Sequence, residues 1–282
     1  MFSDYIKLSR LNRPMGILLL LFPGLVGLSA SKGLVPQTYW LLFIIGATVM
    51  RSAGCIYNDI VDHPFDGKVR RTNNRPLVRS SNPLTLPWAV FFLVLNLAVG
   101  FVVLIHFNAV TILIGLVTAL MIALYPWMKR ITYWPQLFLG MTMNMGFVIG
   151  WAAMETLLDI NMVLIYSGMI LWTLGYDTIY GFQDMDDDAL IGVKSATFKM
   201  YAAPRVLVSF IYGLALLCWI VAGLFQDSLF VVYYICLVAI AIVLAWQTLT
   251  LNIQDSENCL VRFRSNQWVG LLLFLGFISQ EL

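Results

Sequence analysis

The chain has 282 residues, of which 60% are hydrophobic and 11% are charged, and its mean hydropathy is +0.84. Soluble proteins contain about 25% charged residues, so this composition excludes a soluble globular enzyme and a disordered protein. The net charge of +2 is too small to indicate a nucleic-acid partner. The composition predicts an all-α protein embedded in a lipid bilayer.

Nine apolar segments predict nine membrane-spanning helices, because a bilayer core needs about 20 mostly apolar residues per helix. No linker or change of composition suggests a second domain, so we expect residues 1–282 to form a single integral-membrane domain. The predicted spans are 14–34, 38–57, 87–106, 109–127, 135–154, 161–180, 204–224, 228–250 and 267–281.

The distribution of basic residues predicts the orientation of these spans. Of the 17 Lys and Arg residues, Arg51 lies inside a predicted span, Lys32 lies on one side of the membrane, and the other fifteen lie on the opposite side. Cytoplasmic loops carry the excess of Lys and Arg, so we expect a cytoplasmic N-terminus and a C-terminus on the far side. The N-terminal residues lack a secretory or transit pattern, which favours a bacterial inner membrane.

The four cysteines form no CxxC pair, and the chain has two histidines. This pattern does not predict a zinc, haem or iron–sulfur site.

The acidic residues are concentrated in two windows, which hold eight of the 15. The windows, 58–66 and 177–188, each lie where a predicted span meets the cytoplasmic side. On a helix, Asn58, Asp62 and Asp66 point in one direction. Asp177, Asp184 and Asp188 also share a direction, with Tyr180 beside them, whereas Asp186 and Asp187 fit solvated loop charges equally well.

Like charges this close repel each other strongly where the dielectric constant is low, so a cation is expected between them. Ligand sets made only of oxygen favour Mg²⁺ or Ca²⁺ over zinc, and Mg²⁺ usually keeps coordination positions for substrate phosphates. Lys68, Arg70, Arg71, Arg75 and Arg79 follow the first window, and Lys194 follows the second. Acids, a metal and arginines together indicate a diphosphate site, although Lys68, Arg70 and Arg79 are explained equally well by membrane topology.

These residues resemble motifs of the UbiA superfamily of membrane prenyltransferases. The first window resembles the motif NDxxDxxxD, the segment Tyr176–Asp188 resembles the motif DxxYxxxDxxxD, and Tyr125–Arg130 resembles a signature of the fourth helix. The opening segment Arg10–Gly16 and the stretch Arg51–Cys55 are similar to the members that prenylate 4-hydroxybenzoate in ubiquinone biosynthesis. The resemblance implies a helical bundle around a central cavity.

The resemblance also implies the substrates and the roles of the site residues. Mg²⁺ would bridge the two motifs to the diphosphate of a polyprenyl donor. The expected partners are the two substrates, polyprenyl diphosphate and 4-hydroxybenzoate, and the lipid bilayer. Asp62, Asp66, Asp177 and Asp184 are the expected catalytic residues. The expected metal ligands are Asn58, Asp59, Asp62, Asp66, Asp177, Asp184 and Asp188. The expected substrate contacts are Arg51, Arg71, Arg75, Tyr125, Lys129, Tyr180 and Lys194.

Arg51 is the one basic residue within a span, and a buried arginine there is functional by default. It precedes Asn58 by two helical turns, which places it about 10 Å deeper along the same helix. The resemblance suggests that it binds the carboxylate of the aromatic acceptor; a structural bond to backbone carbonyls or to the acidic motif is the alternative.

Two other functions fit the sequence. A secondary transporter also holds intramembrane acids, but its site lies near the bilayer midplane, whereas both windows lie at one face. The same prenyl transfer could also use homogentisate, dihydroxynaphthoate, haem or a chlorophyllide as acceptor.

Overall fold

The computed structural model describes residues 2–31, 33–66, 75–78, 84–154, 159–226 and 231–279. Its regular structure is helical throughout this part of the chain. The helices are α1 (Phe2–Leu8), α2 (Met15–Ala30), α3 (Gln37–Asp66), α4 (Leu86–Leu104), α5 (Ala109–Ile131), α6 (Pro135–Met143), α7 (Met145–Ala153), α8 (Ile160–Gly181), α9 (Met185–Ile191), α10 (Ala196–Met200), α11 (Pro204–Leu224), α12 (Val231–Leu249) and α13 (Ser256–Ile278), with a 3₁₀ turn at Phe182–Asp184.

Within the described residues, six helices are long and apolar enough to cross a membrane, namely α3, α4, α5, α8, α11 and α12. Helix α2 is a shorter apolar helix. The bundle of membrane helices is therefore confirmed, while the count of nine spans and the orientation of the bundle stay predictions.

Three predicted spans differ clearly in length from the helices found, and a fourth is broken into two helices. The first is shorter than predicted, since α2 has 16 residues. The last begins earlier, because α13 has 23 residues and starts at Ser256 in a charged segment. The second is longer, since α3 has 30 residues and carries the whole first acidic window on its final turns, as the helical spacing of that window predicts.

The predicted span 135–154 is broken at Asn144 into α6 and α7. The side-chain amide of Asn144 is buried and donates to the carbonyl of Gly140 at 2.7 Å and to the hydroxyl of Thr173 in α8 at 2.8 Å. These bonds satisfy polar groups that a break within a membrane would otherwise leave unpaired. Asn144 therefore allows the break and fastens it to α8.

Helices α2 and α7 approach each other closely through glycines. A Cβ atom at Gly27 would lie 2.2 Å from the carbonyl oxygen of Phe147, and one at Gly150 would lie 2.5 Å from the carbonyl oxygen of Gly24. Small residues let membrane helices pack backbone against backbone, where dispersion contacts stabilise the pair. This contact forms one rigid wall of the bundle.

Helices α4 and α5 carry a broad apolar surface. Helices α4 and α5 expose large side chains such as Phe91, Val94, Phe101, Leu113 and Leu120. Exposed apolar patches of this extent do not occur on soluble monomers, so this surface contacts lipid.

The close contact between α2 and α7 predicts the effect of a single added methyl group. We expect Gly27→Ala to destabilise the protein by about 1–3 kcal/mol, because the Phe147 backbone must move to make room. Thermal unfolding in detergent measures this effect. Gly213→Ala in α11 is the matched control, since a Cβ there meets no atom within 4 Å. Equal melting temperatures for the two variants would contradict the packing argument.

Candidate active site

A cavity of about 1400 Å³ lies between α2, α3, α4, α5, the α6–α7 pair, α8 and α13. The residues that line it change from charged to apolar along α3. Asn58 and Asp59 line one end, Arg51 lies about two turns deeper, and Phe43 and Ala47 line the apolar end. The cavity therefore offers a charged end, one intermediate cation and an apolar end.

The last turns of α3 hold the first acidic motif. Asp62 is 5% exposed and accepts from the Lys129 ammonium group of α5 at 2.6 Å and from the Asn58 amide at 3.2 Å. Both bonds reach the same carboxylate oxygen, Oδ2. Its other oxygen, Oδ1, is buried and has no hydrogen-bond partner among the described residues.

Asp59 points to a different set of partners. Its carboxylate is 2% exposed, and Nη2 of Arg10 lies 2.9 Å from both of its oxygens. Nη1 of Arg75 lies 2.9 Å from Oδ1. The predicted diphosphate ligand Arg75 thus lines the cavity while it is bound to the first motif.

Helix α8 and the turn after it hold the second motif. Asp177 and Tyr180 line the cavity, and the Tyr180 ring lies 4.3 Å from the ring of Phe263 in α13. Asp184 ends the 3₁₀ turn, and Asp188 lies in α9. The motif therefore begins in the cavity wall and continues beyond it. No group of three His, Cys, Asp or Glu forms a metal site by itself in the described part of the chain.

Arg51 projects from α3 toward α2. A Cβ at Gly16 would lie 2.7 Å from both Nε and Nη2 of Arg51, so glycine leaves the room that the guanidinium occupies. Nε is buried and has no hydrogen-bond partner in the described chain. Tyr125 of α5 and Tyr176 of α8 line the same cavity.

Seven predicted site residues are not among the described residues that line the cavity, namely Asp62, Asp66, Arg71, Lys129, Asp184, Asp188 and Lys194. Lys194 donates from Nζ to the carbonyl of Ile131 at 3.0 Å, which places its ammonium group at the end of α5. Arg71 lies outside the described residues, as do Lys68, Arg70 and Arg79. Asp66 is the last residue of α3, and its side chain also lies outside what the structure describes.

The apolar end of the cavity is lined by the two helices that carry the lipid-facing surface. Phe101 of α4 and Leu116 of α5 line the cavity and are also 55% and 48% exposed. Only the side chains of α4 and α5 therefore separate this end of the cavity from lipid.

The sequence analysis missed several cavity residues. Arg10 was interpreted only as a topology charge and as part of a resemblance, yet it binds Asp59. Gly16, Tyr176 and Gln183 also line the cavity. Their residue types are common in membrane helices, so neither composition nor spacing could have distinguished them.

The fold and this cavity define a class of protein: a helical membrane protein that places acids and cations at one end of an apolar chamber. A model of the UbiA prenyltransferase family matches residues 20–277. The chain belongs to the UbiA prenyltransferase family.

Related sequences and structures agree with this assignment. The chain is 40% identical to the mitochondrial 4-hydroxybenzoate polyprenyltransferase of Rattus norvegicus, over 99% of this chain and 75% of that protein. It is 37% identical to the 4-hydroxybenzoate octaprenyltransferase of Pseudomonas savastanoi pv. phaseolicola, over 98% of this chain and 93% of that protein.

Two solved structures share the fold. The apo structure of a UbiA homologue from Aeropyrum pernix K1 has a TM-score of 0.78 and 22% identity, and the match covers 95% of this chain and 98% of that one. A UbiA homologue from Archaeoglobus fulgidus, bound to GPP and Mg²⁺, has a TM-score of 0.71 and 15% identity, with coverage of 98% and 99%.

The position of Asp62 predicts the effect of its removal. We expect Asp62→Ala to lower the rate of prenyl transfer about 100-fold or more, because it deletes the carboxylate that binds Lys129 and the cavity-lining Asn58. The protein should still fold in the membrane. The control is Glu257→Ala, which removes a 71% exposed acid of α13. Initial rates with purified, detergent-solubilised variants test this expectation, and near-normal turnover by Asp62→Ala would contradict it.

Proposed function

We propose that this protein transfers a polyprenyl group from polyprenyl diphosphate to the ring carbon ortho to the hydroxyl of 4-hydroxybenzoate, a step of ubiquinone biosynthesis. The observation that carries the proposal is Arg51, a half-buried cation with a buried Nε atom, which lies between the charged and the apolar ends of one cavity. Such a cation suits an acceptor that carries a carboxylate. The names of the rat and Pseudomonas relatives support the same activity.

The residues at the charged end fit a magnesium ion. Asp62 keeps one buried oxygen without a hydrogen-bond partner among the described residues, and the amide of Asn58 and the carboxylate of Asp177 line the same cavity. A set of oxygen donors suits Mg²⁺. We assign the metal to Asn58, Asp62 and Asp66 on one side and to Asp177, Asp184 and Asp188 on the other. When bound, Mg²⁺ would supply positive charge that stabilises the departing diphosphate.

The chain's own cations and hydroxyl groups would hold the diphosphate in place. Arg75 and Tyr125 line the charged half of the cavity, and Lys129 pairs with Asp62 at its edge. Fixed cations stabilise the charge that develops as the allylic C–O bond breaks and its electron pair leaves with the diphosphate. We place Arg71, Tyr180 and Lys194 with this group because of the family motifs.

The acceptor would lie between the diphosphate and the apolar chamber. With its carboxylate on Arg51, the ring points its reactive carbon toward the donor. A C–C bond then forms at the carbon ortho to the hydroxyl, and the ring loses the proton from that carbon. We propose that an aspartate of the two motifs accepts this proton, and Asp177, which lines the cavity, is the candidate. The apolar walls exclude water, which would otherwise consume the allylic cation.

The polyprenyl tail would occupy the apolar end of the cavity and leave between α4 and α5. Phe101 and Leu116 support this path, since both line the chamber, are about half exposed and belong to the helices of the lipid-facing surface. A tail longer than the chamber can therefore extend into the bilayer.

We also propose an orientation and a location for the enzyme. The charge distribution supports a cytoplasmic N-terminus and an active site that opens to the cytoplasm of a bacterial inner membrane. We expect a reporter enzyme fused after Leu282 to be active only on the far side of the membrane. A cytoplasmic signal from that fusion would show that the number of spans is even.

The activity can be tested with purified protein, Mg²⁺, a long-chain polyprenyl diphosphate and a panel of acceptors, with the products identified by mass spectrometry. We expect a prenylated 4-hydroxybenzoate, no turnover in EDTA, and recovery when Mg²⁺ is added back. The panel includes homogentisate and dihydroxynaphthoate. A product from one of these acceptors alone would overturn the assignment of the acceptor, and full activity in EDTA would overturn the assignment of the metal.

The proposed role of Arg51 predicts a defect specific to the acceptor. Arg51→Ala leaves the carboxylate of the acceptor buried without a partner, which costs about 3–5 kcal/mol. We expect a large loss of kcat/KM for 4-hydroxybenzoate and a smaller loss for a phenolic acceptor that lacks the carboxylate. The KM for the donor should change little, because the diphosphate binds about two helical turns away. Equal losses on both acceptors would instead place Arg51 in the scaffold or in the diphosphate site.

A further inference from the structure

Arg10 has an unusual backbone conformation. It follows α1 with φ of 59°, the only positive φ of a residue other than glycine in the described chain. The amide of Arg10 donates to the carbonyl of Lys7, and the amide of Leu11 donates to the carbonyl of Ile6. These two bonds define a Schellman motif, in which the residue with positive φ is usually glycine. An arginine at this position carries a steric cost that glycine avoids.

The side chain of Arg10 makes contacts that no glycine could make. Nη1 donates to the carbonyl of Lys7 at 2.7 Å, which holds the guanidinium against the end of α1. Nη2 lies 2.9 Å from both oxygens of Asp59. Arg10 is therefore fixed at both terminal nitrogens, although its side chain is 19% exposed.

Asp59 binds Arg75 as well as Arg10. The same carboxylate that binds Arg10 accepts from Nη1 of Arg75 at 2.9 Å. Leu77, two residues after Arg75, is buried in a cluster with Leu8 of α1 and Ile56 of α3. The ion pair of Arg75 thus ties the short segment 75–78 to α3, and the apolar contact of Leu77 ties it to α1 and α3.

We infer that Arg10 and Asp59 are positioning residues that hold the Arg75 guanidinium in the charged wall of the cavity, and that Asp59 acts on arginines rather than as a metal ligand. This inference rests on the proposed function, since it assigns Arg75 to the donor diphosphate. An exposed arginine has many side-chain conformations, and ordering it before the substrate arrives removes that entropic cost from binding. The strained backbone at Arg10 is retained because it places the guanidinium on Asp59.

The test compares Arg10→Gln, Arg10→Gly and Arg10→Lys. We expect Arg10→Gln to raise the KM for polyprenyl diphosphate about tenfold, the effect of one lost charge-assisted hydrogen bond. The KM for 4-hydroxybenzoate and the Mg²⁺ concentration for half-maximal rate should stay within about twofold of wild type. Lys199→Gln is the control for net charge, since Lys199 is exposed and stacks on Tyr133 outside the cavity.

Arg10→Gly separates positioning from stability. Glycine removes the steric cost of the positive φ, so this variant should unfold at a higher temperature than Arg10→Gln. It should nevertheless share the donor defect, and Arg10→Lys should recover part of the donor affinity. If Arg10→Gly were to regain wild-type donor affinity along with its stability, Arg10 would be a structural residue and the inference would be wrong.

Asp59→Asn tests the role of the carboxylate. We expect the double variant Arg10→Gln/Asp59→Asn to be about as defective as the worse single variant, because both act through one contact. A shift of the Mg²⁺ requirement of tenfold or more in Asp59→Asn, absent in Arg10→Gln, would make Asp59 a metal ligand and overturn the inference.

Binding of a non-hydrolysable farnesyl diphosphate analogue, measured without acceptor, keeps this test separate from the proposed reaction. We expect Arg10→Gln to bind the analogue about tenfold more weakly than wild type. Wild-type binding of the analogue without prenylation of 4-hydroxybenzoate would refute the proposed acceptor and leave the inference standing. Equal binding by wild type and Arg10→Gln would refute the inference alone.

Discussion

Acidic side chains at the edge of a bilayer must meet positive charge, and this requirement organises the polar half of the molecule. Asp59 is 2% exposed and lies between two guanidinium groups, and Asp62 lies against the ammonium group of Lys129. An unpaired buried carboxylate would be strongly destabilising, so the fold must place a cation next to each of these acids. The contacts consequently join α1, the segment 75–78 and α5 to the end of α3.

The apolar half follows a different rule, because water does not drive helix association within lipid. Helices α2 and α7 pack through glycine backbones, and α8 is fastened to the broken α6–α7 pair by the amide of Asn144. These contacts pack α2, α7 and α8 closely together. Helices α4 and α5 instead expose large side chains to lipid.

The sequence predicted the parts of this structure that depend on composition and on the periodicity of a helix. The acidic windows were visible because few charges occur elsewhere, and the helical spacing of Asn58 and Asp62 correctly predicted that α3 continues through its motif. The break at Asn144 was not predictable from hydropathy, since one amide among apolar residues barely changes the average. The bond of Arg10 to Asp59 joins residues 49 positions apart, and no local pattern encodes such a distance. The motif match at Lys194 likewise could not predict that its ammonium group donates to the carbonyl of Ile131.

The proposed path of the donor between α4 and α5 would determine which concentration of donor governs the rate of the enzyme. A substrate that enters sideways from the bilayer is encountered in two dimensions, so its mole fraction among the surrounding lipids, rather than its amount per volume of buffer, governs how often the cavity fills. Diluting the membrane with inert lipid or detergent would therefore slow the enzyme at constant total donor. The acceptor, a small organic acid that reaches the charged end from water, would be unaffected by such dilution. The rate would thus depend on the mole fraction of the donor among the lipids and on the molar concentration of the acceptor in water, because the proposed paths of the two substrates differ.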